Sequence, residues 1–373
     1  MSRSLNVGAH LTPSILGWSI LVFACGPGSD STGHHMQGNP VDTPAIDWGP
    51  ERYVSYRAAE PIVVDGRMEE EAWRNAVWTS DFVDIEGPAR AAPRFWTRAK
   101  ILWDSTYLYF AAEMEEPHVW ATLTDRDAVI YHDNDIEVFI DPDGDTHEYY
   151  ELEINALGTE WDLFLVKPYR DGGPALNAWD IQGLKTAVFV DGTLNDPSDT
   201  DRSWSVEIAI PWKVLAQAAH RETPPAGGDQ WRVNFSRVEW RVEIENGRYR
   251  KIEEPVERRS RPEDNWVWSP QGLIAMHYPE MWGFVQFSNM TAGSGQEEFF
   301  PSVEDEARWF LRQVYYKQHA WFSVYGEFSD DASELGVPDS PFDLEISATQ
   351  HLFDAQVTVG GRELHIGRDG RIW

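Results

Sequence analysis

The residues best suited to chemistry in this chain are oxygen donors and aromatic rings. Asp141-Pro142-Asp143-Gly144-Asp145 alternates aspartates about a central glycine, a pattern that can gather hard oxygen ligands around a structural calcium ion. The segment lacks the ligand spacing and the closing bidentate glutamate of an EF-hand, and Pro-Asp-Gly also forms turns without metal, so both readings stand. The chain has 62 Asp plus Glu, yet abundance does not show two carboxylates at the separation that glycoside hydrolysis needs. No Gly-x-Ser-x-Gly, His-Glu-x-x-His or phosphate-loop pattern occurs. The expectation is a protein that is not an enzyme. The 19 Trp and 13 Tyr exceed what a core of this size requires, which leaves aromatic surface for a ligand.

Charge and the single cysteine narrow the setting. With 31 Lys plus Arg, the formal net charge is −31, which argues against a nucleic-acid partner, since a polyphosphate calls for clustered positive charge. Arg3 precedes an apolar run from Ile15 to Ala24 that ends at Cys25, the only cysteine in the chain. That run is too short to span a bilayer and has the proportions of a signal-peptide core. Val22-Phe23-Ala24-Cys25 resembles a bacterial lipobox with Phe23 atypical, and Gly26 follows where an aspartate would argue against export to an outer membrane. The alternative is an ordinary signal peptide that happens to contain a cysteine. Residues 1–25 are thus expected to be a lipoprotein leader with Cys25 as lipidation site, and the body to lie in a bacterial cell envelope, periplasmic or at the outer-membrane surface. A lone cysteine also excludes a disulfide framework.

Elements must position these groups. Residues 26–48, rich in Gly, Ser, Thr, Pro and His, read as a flexible tether. Beyond Pro61 the pattern turns to strands: a hairpin from Ala99–Trp103 and Tyr107–Glu113, then Ile136–Ile140, His147–Asn155 and Thr159–Leu165 as a meander. Leu184–Val190, Trp204–Ile210 and Trp231–Val242 continue the series, and Pro211 opens a short helix to Ala219. Short strands with turns between them predict a mainly β fold, an antiparallel β-sandwich over residues 49–290.

Several motifs occur in order: "IVVDGRMEEEAW" from Ile62, "AKILWDSTYLYFAAEMEEP" from Ala99, "NDIEVFIDPDGD" from Asn134, "WSVEIAIPWKVL" from Trp204 and "WGFVQF" from Trp282. Together they resemble a family 9 carbohydrate-binding module, within the broad class of DOMON-like sandwiches, over roughly Pro61 to Ser288. The resemblance implies non-catalytic binding of an oligosaccharide or polysaccharide, and structural calcium. It also implies a sugar clasped between two aromatic rings at one end of the sandwich, beside a glutamate and an arginine. The first ring corresponds to Tyr131 and the glutamate to Glu137, which could equally be an exposed sheet carboxylate. The family arginine falls at Glu153 and the second ring at Met276, so both depart from the pattern. Trp266 or Trp268 in "EDNWVWSPQG" is expected to supply the second face, with Trp268 open to a core role instead. Arg237, Asn265 and His277 are candidate rim donors. The class also includes haem-binding proteins, for which Met114, His118, Met276 and His277 are the available axial side chains. A glycoside hydrolase is the lesser alternative.

After the linker at 289–296, Ser302 is a candidate N-cap. Val303, Ala307, Phe310, Leu311, Val314 and Tyr315 then recur on one helical face. A helix over Val303–Ala320 and strands at Phe342–Ile346, Ala355–Val359 and Leu364–Ile366 predict a small α+β appendage over 298–373, outside the resemblance.

Overall fold

Bulky residues at every second position drive the strand pairings. The computed structural model describes residues 41–255 and 261–373. Cys25, the expected leader and most of the expected tether lie outside the described residues. The chain opens with β1 (Arg52–Arg57), the helical turn α1 (Glu71–Asn75) and a short β2 (Val83–Asp84). β3 (Thr97–Trp103) and β4 (Tyr107–Glu115) form the expected antiparallel hairpin. Its turn is held by Asp104, whose Oδ1 accepts the backbone N–H groups of Thr106 at 2.6 Å and Tyr107 at 2.8 Å. The meander follows as β5 (Asp135–Asp141), β6 (Tyr149–Asn155), β7 (Glu160–Leu165) and β8 (Ala175–Leu176). Then come β9 (Lys185–Asp191), β10 (Ser203–Pro211), the turn of helix α2 (Trp212–Leu215) and β11 (Gln230–Glu239). The hairpin β12 (Val242–Glu245) and β13 (Arg248–Lys251), then β14 (Asp264–Val267) and β15 (Gly283–Thr291), complete this part.

Hydrogen bonding follows one path, β8-β7-β6-β5-β11-β15-β1-β3-β4-β10-β9. The path doubles back, so Ile136, Val138 and Leu152 from one half share a core with Ile101, Phe110 and Val206 from the other. This is the expected sandwich, held mainly by burial of the two facing apolar surfaces. One departure from a purely antiparallel arrangement is β1, which runs parallel to both β15 and β3. Its register shifts between Ser55 and Arg57, where it passes from one half to the other. On the outer side, Glu207 accepts the backbone N–H groups of Asp65 at 2.8 Å and Gly66 at 2.6 Å and the Trp73 Nε1–H at 2.6 Å. Gly66 has φ +86, and a Cβ there would lie 2.7 Å from the Phe189 nitrogen, so only glycine fits this turn.

Three expectations about elements are corrected. The helix after Pro211 stops at Leu215 and does not reach Ala219, because the Tyr150 hydroxyl donates to the Leu215 carbonyl at 3.0 Å and accepts the Ala218 N–H at 2.9 Å. Those groups are thereby taken from the next helical turn. β11 ends at Glu239, since Trp240 leaves the ladder to donate its N–H to Asn134 Oδ1 at 2.8 Å and its Nε1–H to the Tyr131 carbonyl at 2.9 Å. The tether reading fails for 41–48: Trp48 donates from Nε1 to the Glu280 carbonyl at 3.1 Å and stacks on Trp309 at 5.6 Å.

The C-terminal residues form α3 (Val303–Tyr325), α4 (Ala332–Leu335) and a sheet of β16 (Leu344–Ala348), β17 (Phe353–Val359) and β18 (Arg362–Gly367). α3 starts where Ser302 Oγ accepts the Glu304 N–H at 3.1 Å and ends at the left-handed Gly326, a turn beyond the expected Ala320. Its buried face, Ala307, Phe310, Leu311, Val314 and Tyr315, packs on β17 and β18 and meets Tyr278 and Met281 from the sandwich.

Candidate functional site

Strand parity decides which side chains can meet. On β5, Ile136, Val138 and Ile140 face the core, so Asp135, Glu137 and Phe139 must face outward. Register then aligns Glu137 with Glu153 on β6 and Trp161 on β7, and in the next row Phe139 with Glu151 and Leu163. These rows floor a cavity of about 560 Å³ on the outer face of this half-sheet, walled by Tyr131, Tyr169 and the chain segment 274–278.

The walls are fixed from behind. Tyr131 donates its backbone N–H to Glu153 Oε2 at 2.9 Å, and its carbonyl is the acceptor for Trp240. Its ring, 38% exposed, stands 6.4 Å from that of Trp161. Across the cavity the exposed Tyr169 ring meets His277 edge-on at 4.5 Å, and the Tyr149 hydroxyl lies 2.9 Å from His277 Nδ1. Burial, aided by the Arg170 guanidinium, pushes His277 down to about 3, so its ring is neutral.

The floor is acidic and buried. Burial pushes Glu137 up to about 7, against the pull of the Ser236 hydrogen bond and Arg261. Glu151 and Glu153 are raised well above the carboxylate range by burial and then by repulsion from Glu137, and Asp135 likewise. Four polar atoms of residues lining this cavity have no hydrogen-bond partner among the described residues: Glu151 Oε2, Trp161 Nε1, Asn265 Nδ2 and Arg170 Nη1, the last lying 2.9 Å from Glu280 in an ion pair. The first three, an acceptor and two donors set among aromatic rings, suit a ligand that carries both hydroxyl groups and an apolar face.

A pH dependence follows from Glu137. A carboxyl whose pKa is raised on folding stabilises the protein fully below its unfolded value, and that contribution is lost as pH rises through about 7. Glu137→Gln is expected to remove part of the fall in stability between about pH 5 and about pH 8. His277 acts in the opposite sense over that range but is common to both proteins. Chemical denaturation of the unliganded protein at both pH values tests this, and equal slopes for wild type and variant would refute it.

Of the residues singled out in the sequence, Tyr131, Glu137, Asn265 and His277 line this one cavity, together with Met276. Trp266, Trp268 and Arg237 do not: all three are buried in the sandwich, and the expectation of an exposed stacking tryptophan among them is corrected. Asn265 faces the cavity from β14, so its strand neighbour Trp266 must face the core, and Trp268 two positions on faces the core again. Arg237 points inward from β11 and is claimed by Glu116 and Glu239, both at 2.9 Å, and by Thr97 at 3.0 Å. Met114 also lies in the core, on the other side of the sheet from Met276 and His277, so the residues offered to haem are not assembled in one place. Trp161, Tyr169 and Glu151 were not anticipated. The signal for the last was present in "YYELEIN", where charged residues occupy alternate positions of a strand otherwise apolar.

The acidic loop is distinct from the cavity. One carboxylate oxygen from each of Asp141, Asp143 and Asp145 can lie within 4.8 Å of the others. Asp141 accepts the N–H groups of Gly144 at 2.9 Å and Thr146 at 3.0 Å, while Asp145 accepts Arg371 Nε at 2.7 Å. Burial, then Asp143 and Asp145, raises Asp141 well above the usual range, and burial, then Asp145, raises Asp143. Arg371 reaches one of three mutually repelling carboxylates, and the donor set fits a hard divalent cation.

Comparison with known proteins agrees with the motifs. Residues 64–224 match the family described as "Carbohydrate family 9 binding domain-like". An endo-1,4-beta-xylanase C from Paenibacillus barcinonensis is 34% identical over 88 residues, 24% of this chain and 7% of that enzyme. The exoglucanase XynX from Acetivibrio thermocellus is 26% identical over 155 residues, 41% of this chain and 12% of that enzyme. The chain therefore spans only a small part of these curated relatives. Among solved structures, a putative carbohydrate-binding protein from Bacteroides uniformis aligns with a TM-score of 0.46 at 15% identity, covering 64% of this chain and all of that one. A family 9 carbohydrate-binding module from Caldicellulosiruptor kristjanssonii in complex with cellotriose aligns with a TM-score of 0.39 at 16% identity, over 66% of this chain and all of that one.

Proposed function

We propose, from the family 9 carbohydrate-binding domain-like stretch at residues 64–224, that the protein binds glycan without catalysis in the outer-face cavity. The observation that carries this reading is three atoms without a hydrogen-bond partner among the described residues, Glu151 Oε2, Trp161 Nε1 and Asn265 Nδ2, beside the rings of Tyr131 and Trp161. A pyranose offers a C–H face for the rings and hydroxyls that donate and accept at its rim. A glycan array with the protein from Gly26 onward, followed by calorimetric titration of the hits, tests it. Absence of any oligosaccharide binding at millimolar concentration would end the proposal.

Asp141, Asp143 and Asp145 would hold a structural calcium ion, which neutralises the loop and ties it down. Saturating calcium is expected to stabilise the protein by about 3 kcal/mol at a hundredfold excess over Kd. Asp143→Asn should remove most of that increment. If chelator leaves the melting temperature unchanged, the loop is a metal-free turn.

Cys25 would carry the lipid of a bacterial lipoprotein and hold the body at an envelope membrane; no helix among the described residues is long and apolar enough to cross one. Cys25→Ala is then expected to move the protein from the membrane to the soluble fraction, since stable anchoring depends on the acyl chains. An intact mass of the mature protein without lipid on Cys25 contradicts this.

A further inference from the structure

We infer that the ligand of the outer-face cavity is a cationic sugar, a hexosamine unit whose free amine is protonated, seated with its ammonium over Glu137, Glu151 and Glu153 and its hydroxyls toward Asn265 and Trp161. This rests on the glycan reading above and specifies the class of sugar.

The argument begins with charge balance. Asp135, Glu137, Glu151 and Glu153 are each at most 6% exposed and lie on two adjacent strands. Oxygens of Asp135, Glu137 and Glu153 can approach within 4.8 Å of one another. Among the described residues two guanidinium groups line the same cavity, and each is shared with other carboxylates. Arg170 is bound to Glu280 at 2.9 Å and to Asp171 at 3.3 Å. Arg261 pulls on Glu137, yet it is 53% exposed and lies 3.6 Å from Glu263. His277 is held neutral, and the Tyr131, Tyr149 and Tyr169 phenols bring no positive charge. Four buried carboxylates exceed the charge that these shared guanidinium groups supply, so a positive group, or protons, would complete the site.

The donors settle which kind of cation. Asn265, nine-tenths buried, and Trp161 each present an N–H without an acceptor among the described residues, and a bare metal ion does not supply one. A neutral hexose supplies the acceptors but no charge. An amino sugar supplies both, and an ammonium is further held by the faces of Tyr131 and Trp161.

Binding of the amine should keep the carboxylates ionised and so release protons. Affinity should rise as pH rises from about 5 to about 7 while the amine stays charged.

The test is calorimetric titration of the protein from Gly26 onward with glucosamine oligomers, their N-acetylated counterparts and cello-oligosaccharides of equal length. The glucosamine oligomer should bind about tenfold or more tightly than either neutral sugar, from one charge-assisted hydrogen bond. That advantage should shrink with salt and disappear in Glu153→Gln and in Glu151→Gln, two near-isosteric variants whose folding is checked by melting. Titration in two buffers of different ionisation enthalpy should reveal proton release with the amine only. Equal or tighter binding of the neutral sugars overturns the inference and leaves the glycan reading intact. Calcium or manganese binding that depends on Glu153 and competes with the amine overturns it in favour of a metal. If no sugar binds, both readings fall.

Discussion

Trp268→Ala is expected to destabilise the protein by about 3 to 5 kcal/mol, the cost of removing a large aromatic ring from a close-packed core. The indole is 1% exposed, stands edge-on to Tyr53 at 6.5 Å and tilts against Phe235 at 6.0 Å. A Cβ at Gly283 would come within 2.4 Å of its ring, so the β15 backbone lies directly against it and has little freedom to collapse into the void. The Trp268 N–H also donates to the Phe235 carbonyl at 3.1 Å, an anchor that alanine keeps. The loss should therefore appear in packing and not in the ladder. Urea denaturation measures it, and the folded fraction should titrate with ligand as wild type does. A variant of full stability that no longer binds sugar would mean that the ring faces the ligand after all.

Trp161→Ala should behave in the opposite way. Its side chain is half-buried at the cavity edge and supplies both a ring wall and an Nε1–H without a protein acceptor. Removing it takes away roughly 2 kcal/mol of apolar contact and a hydrogen bond, about a thirtyfold loss of affinity. Because the ring is not part of the sandwich interior, the melting temperature should shift little. Calorimetric titration of wild type and variant with the tightest oligosaccharide decides the matter. Affinity within about twofold of wild type would place the ligand elsewhere.

The contrast between these two tryptophans marks how far the sequence could be read. Period-two patterning is a local property, so β3, β4, β5, β6 and β10 were legible, and with them the apolar face each gives to the core. Parity along "DNWV" was equally local, and it excludes a site that uses Asn265 and Trp266 together, since neighbours on a strand face opposite ways. The candidates Tyr131 and Glu137 came from the family motif. Trp161 and Glu151 were hidden because their nearness to Glu137 depends on cross-strand register, which turn lengths and long-range pairing set together. The same holds for the parallel neighbours of β1 and for the early end of α2, where a tyrosine more than sixty residues away intercepts the backbone.

Glu280 joins parts of the chain that sequence distance keeps apart. Its carboxylate meets Arg170 at 2.9 Å, takes the Tyr316 hydroxyl as a donor and lies 3.7 Å from Arg312, and these guanidinium groups outweigh its burial and hold it down to about 2. Asp171, beside Arg170, takes the Tyr315 hydroxyl in the same manner. Tyr169, an aromatic wall of the cavity, thus stands on a turn clamped by α3. A fragment cut after β15 would keep every cavity residue named above and still lose the scaffolding under one wall. The chain beyond β15 is in that sense a foundation for the cavity, and a fragment that keeps both walls in place must extend well past the segment that matches the family.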